Sequence, residues 1–279
     1  MNRFDPKLKT PIPWIINALT CWLLILGSVY FTNLYLNPVS FTLCIMIVAS
    51  RHHALLLLGH DAAHYLVSKN KSLNDFFCYL FVSPTGFALK RYRKFHFLHH
   101  RHLNTERDPE MHFRSEKVPD YKLPKTKKDL IRILLQHFTL VNYRYTIEIY
   151  SMFRPSGLID YISIYGSILL ILSIVAWNKT YWVYILILLI YLIFFPLLFR
   201  FRTWTEHWGS EYAHVISANP IERFFLYPCN TCYHKEHHLN PSVPYWYLPH
   251  LRTEKDKAQA ISTKQLLGKL FSCACKTNK

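Results

Sequence analysis

The sequence predicts an all-α integral membrane protein, with about four transmembrane helices in two hairpins and a cytosolic helical cap holding a histidine-rich di-metal site. Three observations predict it: paired apolar runs of spanning length, a lopsided distribution of lysine and arginine, and histidines clustered at helical spacing.

The apolar runs come first. Residues 158–176 and 180–199 are long and apolar, the first holding only Asp160 near its start and the second no charged side chain. A bilayer core about 30 Å thick needs about 20 such residues in a helix. Residues 12–36 and 38–58 form another pair, the second interrupted by Arg51, His52 and His53. The run at 12–36 contains Trp14 and Trp22 and no small-residue cleavage site follows it, so a span is expected there rather than a cleaved signal.

Charge sets the expected orientation. The formal net charge is +16, with basic residues at Arg3, Lys7 and Lys9, through 90–157, and after Phe199. The short turns between paired spans hold almost none: 31–38 has no Lys or Arg, and 177–180 has only Lys179. By the positive-inside rule both termini and the 90–157 segment are cytosolic. The excess charge is then topology plus attraction to anionic headgroups. No recognisable nucleic-acid module accompanies it, so no nucleic-acid partner is expected.

Seven cysteines are present. Cys21, Cys44 and Cys78 lie in apolar segments and read as packing residues. Cys229 and Cys232 form a CxxC, open to reading as a redox pair or half a zinc site, though no second CxxC follows. Cys273 and Cys275 are open to acylation.

Along the chain, a semi-apolar stretch at 72–89, broken by Pro84 and Gly86, is expected in or at the membrane interface. Both hairpins share one polarity, so a single domain over 1–279 is expected, its cap drawn from 60–157 and 200–279.

The sixteen histidines carry the chemistry. His60 and His64 are four apart where the second span ends; His96, His99 and His100 form HFLHH; His234, His237 and His238 form HKEHH. On a helix i, i+3 and i+4 share a face, so each cluster is expected to act as one prong towards a common point. His207, after the last span, is a ninth candidate. So many imidazoles exceed the four ligands of a structural zinc and suit two octahedral metals. Imidazole fits iron, copper, zinc and nickel alike. A nitrogen-rich site beside alkyl chains favours iron. Asp61, Asp108, Glu206 and Glu236 are candidates to orient the ligand rings, with helix capping or pairing (Asp61 with Arg51, Glu236 with Lys235) as the plainer alternative. His53, nearly on the His60 face but about 10 Å deeper, reads as a supporting residue rather than a ligand. His112, His137, His214 and His250 are expected at the surface or at an interface.

HDAAH (60–64), HFLHH (96–100) and HKEHH (234–238) resemble the three histidine boxes of the membrane fatty-acid desaturase superfamily, in order, separation and intervening hairpin. The resemblance runs from about residue 40 to 250. The HxxxH first box is similar to acyl-lipid desaturases and carotenoid ketolases, and His234 in place of Gln argues against the front-end group. HHRHLNTERDPE (99–110) and HHLNPSVPYWYLP (237–249) resemble stretches of carotenoid ketolases and some bacterial desaturases.

The resemblance implies two irons (a di-iron site), O2 as co-substrate, and the nine histidines at 60, 64, 96, 99, 100, 207, 234, 237 and 238 as ligands. No HPGG motif appears, so it implies an external electron donor, a ferredoxin or cytochrome b5. The substrate would be a lipid or acyl chain, threaded between apolar spans past Tyr245, Trp246 and Tyr247, or those aromatics form an interfacial belt. Loss of a second hydrogen after the first gives an alkene, whereas oxygen transfer gives an alcohol. Desaturation is thus the first expectation, hydroxylation or ketolation the second. A metal transporter needs ionisable groups along a midplane pathway, whereas here the clusters sit at the cytosolic span ends and in polar segments, and the span at 180–199 has no ionisable group beyond tyrosines. A histidine-rich metal store gives no reason for three boxes.

Overall fold

The computed structural model describes residues 9–114, 124, 126–139, 141–210 and 212–273. Of the residues singled out above, Arg3, Lys7 and Cys275 lie outside these, as does the side chain of Cys273.

Helices dominate. α1 (Ile12–Leu34) carries Pro13 in its first turn, where a missing N–H costs nothing. It turns through 35–37 into α2 (Pro38–Ala63), which opens on a capping box: the Asn37 side chain accepts from the amides of Val39 and Ser40, and Ser40 Oγ accepts from Asn37 N–H. Two-thirds of the α2 apolar window (67%) is buried within the protein, against 17% for α1 and 17% for α7 (Leu158–Trp177). α2 is therefore the central helix, and α1 and α7 present Leu23, Leu26, Ile162 and Leu169 outward as lipid-facing surface.

α3 (Lys71–Phe81) follows, with Leu73, Phe76 and Leu80 exposed along one side, as an interfacial helix requires. A 3-10 turn, Ser83–Thr85, and Gly86 at φ 84° break it from α4 (Leu89–His102), where the sequence placed Pro84 and Gly86. α5 (Lys127–Phe138) and α6 (Tyr143–Met152) expose Ile131, Leu135, Phe138 and Ile147 in the same way.

The fourth candidate span covers Trp182–Glu206, made of α8 (Trp182–Leu189), one π turn (Ile190–Phe194) and α9 (Phe195–Glu206). Pro196 explains the wide turn. Phe195 N–H bonds Ile190 O, and Pro196 has no N–H to offer the next carbonyl in that register, Tyr191. The Tyr150 hydroxyl donates to Tyr191 O at 2.6 Å instead.

Two spans run further than the sequence suggested. α2 continues past residue 58 to Ala63, and the last span past 199 to Glu206. Both extensions are buried in protein (Gly59, His60, Asp61, Arg200, Glu206), so hydropathy was no guide to where they stop. The carbonyls at the end of α2 are bonded by side chains: Asn74 Nδ2 donates to Ala62 O at 2.9 Å, and Arg93 donates to Ala62 O and Ala63 O.

Beyond α9 lie α10 (Pro220–Phe225), α11 (His234–Leu239), α12 (Glu254–Gln259) and α13 (Thr263–Cys273). A two-residue parallel pair, β1 (Ile216–Ser217) with β2 (Ile261–Ser262), ties the segment after α9 to the C-terminal one. Cys21, Cys44 and Cys78 are buried as packing residues. Cys229 and Cys232 are unbonded to each other: Cys229 Sγ contacts Ala54 O, and Cys232 packs with Trp204 and Tyr227. His137 is 1% exposed rather than at the surface. It shares the inward face of amphipathic α5 with Ile133, one turn away.

Candidate metal centre

Four segments bring their histidines together. α2 supplies His60 and, at its C-cap, His64; α4 supplies His96, His99 and His100; α11 supplies His234, His237 and His238; His207 follows α9 directly. The nine rings fall into two groups. His60, His64, His96, His100 and His237 form one, and His99, His207, His234 and His238 the other. Within each group every residue offers a nitrogen within 4.8 Å of the others.

Each HxxHH box is thus divided between groups, where the sequence reading expected one prong to one point. Helix geometry explains the division. Neighbouring residues on a helix are about 100° apart, whereas residues four apart nearly superpose. On α4, His96 and His100 aim at the first group while His99 aims at the second; on α11, His234 and His238 serve the second and His237 the first.

The nitrogens face one another at close range. His96 and His100 Nε2 are 2.9 Å apart, His100 and His237 3.1 Å, His207 and His234 2.8 Å, and His234 and His238 2.9 Å. Imidazoles bound about 2.0–2.1 Å from one ion and at right angles to each other are about 3 Å apart, so this spacing suits shared metals. His60 Nε2 and His64 Nε2 are buried with no hydrogen-bond partner among the described residues, as lone pairs reserved for an ion would be. Burial disfavours the imidazolium: the pKa values of His64 and His100 are lowered to about 3, and those of His96, His234, His237 and His238 well below the usual value. These six rings are held in the neutral form, the one that binds metal. The residues present therefore fit a pair of nitrogen-ligated metals.

The sequence model described as fatty acid desaturase matches residues 36–263, most of the chain and all nine of these histidines. This chain belongs to the fatty acid desaturase family. It is 28% identical over 225 residues to a beta-carotene ketolase of Paracoccus sp. (strain N81106 / MBIC 01143), covering 73% of this chain and 76% of that protein. It is 27% identical over 233 residues to a dihydrorhizobitoxine desaturase of Bradyrhizobium elkanii, covering 75% of this chain and 65% of that protein. Four apolar helices and membership of this family make it an integral membrane protein.

The acidic candidates have different fates in this desaturase-family chain. Asp108 is the best placed: its Oδ1 accepts from His99 Nδ1 at 2.9 Å, and its carboxylate also accepts the amides of Asn104 and Glu110. Glu206 lies with Oε2 3.5 Å from His234 Nε2 and is gripped through both oxygens by Arg202 Nε at 2.8 Å. Asp61 divides its carboxylate between His60 Nδ1, at 3.7 Å, and the Tyr245 amide, at 3.0 Å. Glu236 turns away from the histidines to Arg252, which also donates to Ile216 O and Cys232 O, while Lys235 pairs with Asp256. His53 is buried outside both groups, with no hydrogen-bond partner among the described residues.

Sequence reasoning missed three contributors. Glu110 Oε2 lies 3.8 Å from His99 Nε2, and its place in the D-P-E run two residues after Asp108 was a usable signal. Tyr92 stacks on His96, with ring centroids 5.5 Å apart and planes 7° apart; its position one turn before His96 pointed to it. Tyr212 O accepts from His207 Nδ1 at 2.8 Å, a backbone contact with no sequence signature. Beside the rings a pocket of about 20 Å3 is lined by Leu57, His60, Arg202, His234, His237 and Tyr245.

Proposed function

We propose that this protein is a di-iron oxidoreductase that uses O2 to introduce a double bond into a lipid or acyl chain. The observation that carries the reading is the sorting of nine clustered imidazoles into two adjacent groups within a desaturase-family chain. His60, His64, His96, His100 and His237 would hold one iron, and His99, His207, His234 and His238 the other. Two irons, when bound, supply with O2 and two external electrons the oxidising power that no side chain has towards an unactivated methylene.

The protein's own part is placement. Asp108 and Tyr212 O, by accepting the Nδ1 protons of His99 and His207, fix those rings with Nε2 inward. Arg202 holds the Glu206 carboxyl group in place beside His234 through both of its oxygens. The buried walls exclude water, so that a chain beside His60 and His237 meets few competing protons.

The basic N-terminal region and the basic cap favour a cytosolic site with both termini on the same side. Electrons would come from a separate ferredoxin or cytochrome b5. Hydroxylation or ketolation is the second reading, favoured by the 28% identity to a beta-carotene ketolase.

The test is mass spectrometry of lipids and pigments from cells expressing the chain beside cells expressing His237→Ala. Chains lighter by two hydrogens and missing from the variant support desaturation. Products gaining oxygen move the assignment to hydroxylase or ketolase. Purified protein without iron would overturn both.

A further inference from the structure

Arg51 is a cation in the middle of α2, about 13 Å before His60 by helical rise. It is 7% exposed. Its Nη2 donates to Ser50 Oγ at 2.7 Å and to Phe224 O, and its guanidinium lies 3.9 Å over the Phe224 ring. Its Nε is buried with no hydrogen-bond partner among the described residues. An ionisable side chain in a membrane helix is costly and marks function more often than packing. An orphaned guanidinium N–H adds to that cost.

Arg51 lines a cavity of about 400 Å3 between α1, α2 and the 220–230 segment. Asn17 and Arg223 also line it, and no carboxylate does. α10, carrying Glu222 and Arg223, packs beside α2 at this point, where Ser50 Oγ donates to Phe224 O. Cys229, Asn230 and Tyr245 line both this cavity and the 20 Å3 pocket against His60, His234 and His237, and so stand between the two. The Tyr245 hydroxyl accepts from Asn17 Nδ2 at 2.8 Å. Two arginines with no carboxylate among the described lining residues, one wall away from the histidines, form an anion-binding end.

We propose that this cavity seats the anionic end group of the lipid substrate, a carboxylate or a phosphate, against Arg51, and that the chain passes from there to the histidines as the Tyr245 ring turns off Asn17. The inference rests on the reading above that a lipid chain reacts at the histidine site. Guanidinium suits both anions, offering paired N–H donors in one plane. The reacting carbon is then set by its distance from the head group.

The experiment is equilibrium binding of tritiated palmitic acid, methyl palmitate and hexadecyl phosphate to the full chain in lipid nanodiscs at pH 8. The acid should bind about tenfold more tightly than its ester. Arg51→Gln should abolish that preference with ester binding unchanged, and Arg51→Lys should restore part of it. Stronger binding of the alkyl phosphate than of the acid would make the source a phospholipid; the reverse would make it a free fatty acid. Equal binding of acid and ester by the unaltered chain would overturn the proposal. So would a preference that survives in Arg51→Gln. Where Arg51→Gln fails to fold, the ligand series on the unaltered chain and Arg223→Gln, expected to weaken acid binding alone, still decide. Iron content of the same samples keeps the two readings apart. Acid preference without iron sinks the oxidoreductase, and iron without acid preference sinks this route.

Discussion

Asp108 holds His99 by a 2.9 Å hydrogen bond at Nδ1, and both side chains are fully buried. Two backbone amides, of Asn104 and Glu110, hold Asp108 in turn. The pair links the turn after α4 to the four-histidine group. Asp108→Asn keeps the shape and removes the charge that orients the ring. Metal affinity should fall about 10–100-fold, with the loss centred on one of two ions. Titration of metal-stripped protein with ferrous iron checks this, and unchanged affinity would remove Asp108 from the site.

His64 and His207 each serve one group from a segment that serves no other. His64→Ala and His207→Ala should each leave about one iron per chain where the unaltered protein should bind about two. His53→Ala should leave both. Elemental analysis of purified protein distinguishes these outcomes; loss of iron in His53→Ala would enlarge the ligand set.

The Arg202–Glu206 pair is buried beside His234. Arg202→Met strands a buried carboxylate, and the expected cost is about 3–5 kcal/mol of stability. Arg202→Met combined with Glu206→Leu should recover most of it. Unfolding in detergent reads both, and a neutral single variant would show that Glu206 is held by other groups.

Gly59 sits where α2 meets Phe87. A Cβ there would lie 2.8 Å from Phe87 Cζ and 3.0 Å from Val82 Cγ1. Gly59→Ala should therefore destabilise by about 1–3 kcal/mol. Because His60 is the next residue, activity should fall with it. Phe87→Leu in the same chain should relieve the clash, and failure to do so would place the strain elsewhere.

His137 is buried with Nε2 unpartnered, and burial, with Arg200 nearby, lowers its pKa to about 4. The unfolded chain takes up a proton there below about pH 6.5, while the folded one resists until about 4. Its contribution to stability is complete above 6.5 and is lost as pH falls towards 4. His137→Leu should flatten the loss of thermal stability across that window. An identical slope in both proteins would count against the assignment.

Much of this was legible in the sequence. Four spans, the hairpin pairing and the nine clustered histidines follow from hydropathy and from spacings of three and four residues. The helix ends were not, because Gly59–Ala63 and Arg200–Glu206 are sheltered by protein, and polar residues there do not mark a boundary. Division of each box into two groups was implicit in the 100° step between His99 and His100. Which ring went where depended on α4 and α11 meeting, which no local pattern encodes. Glu236 illustrates the other limit: its neighbours in sequence are histidines, but its partner, Arg252, lies sixteen residues on.

α4 and α11 each reach into both histidine groups. On the proposed reading, seating either ion would therefore fix the helices whose remaining rings form the second site, so the second ion would find its ligands already ordered. Loading would be cooperative. When iron is scarce, the protein should divide into filled and empty molecules rather than a uniform half-filled population, and cellular activity should track iron supply as a threshold.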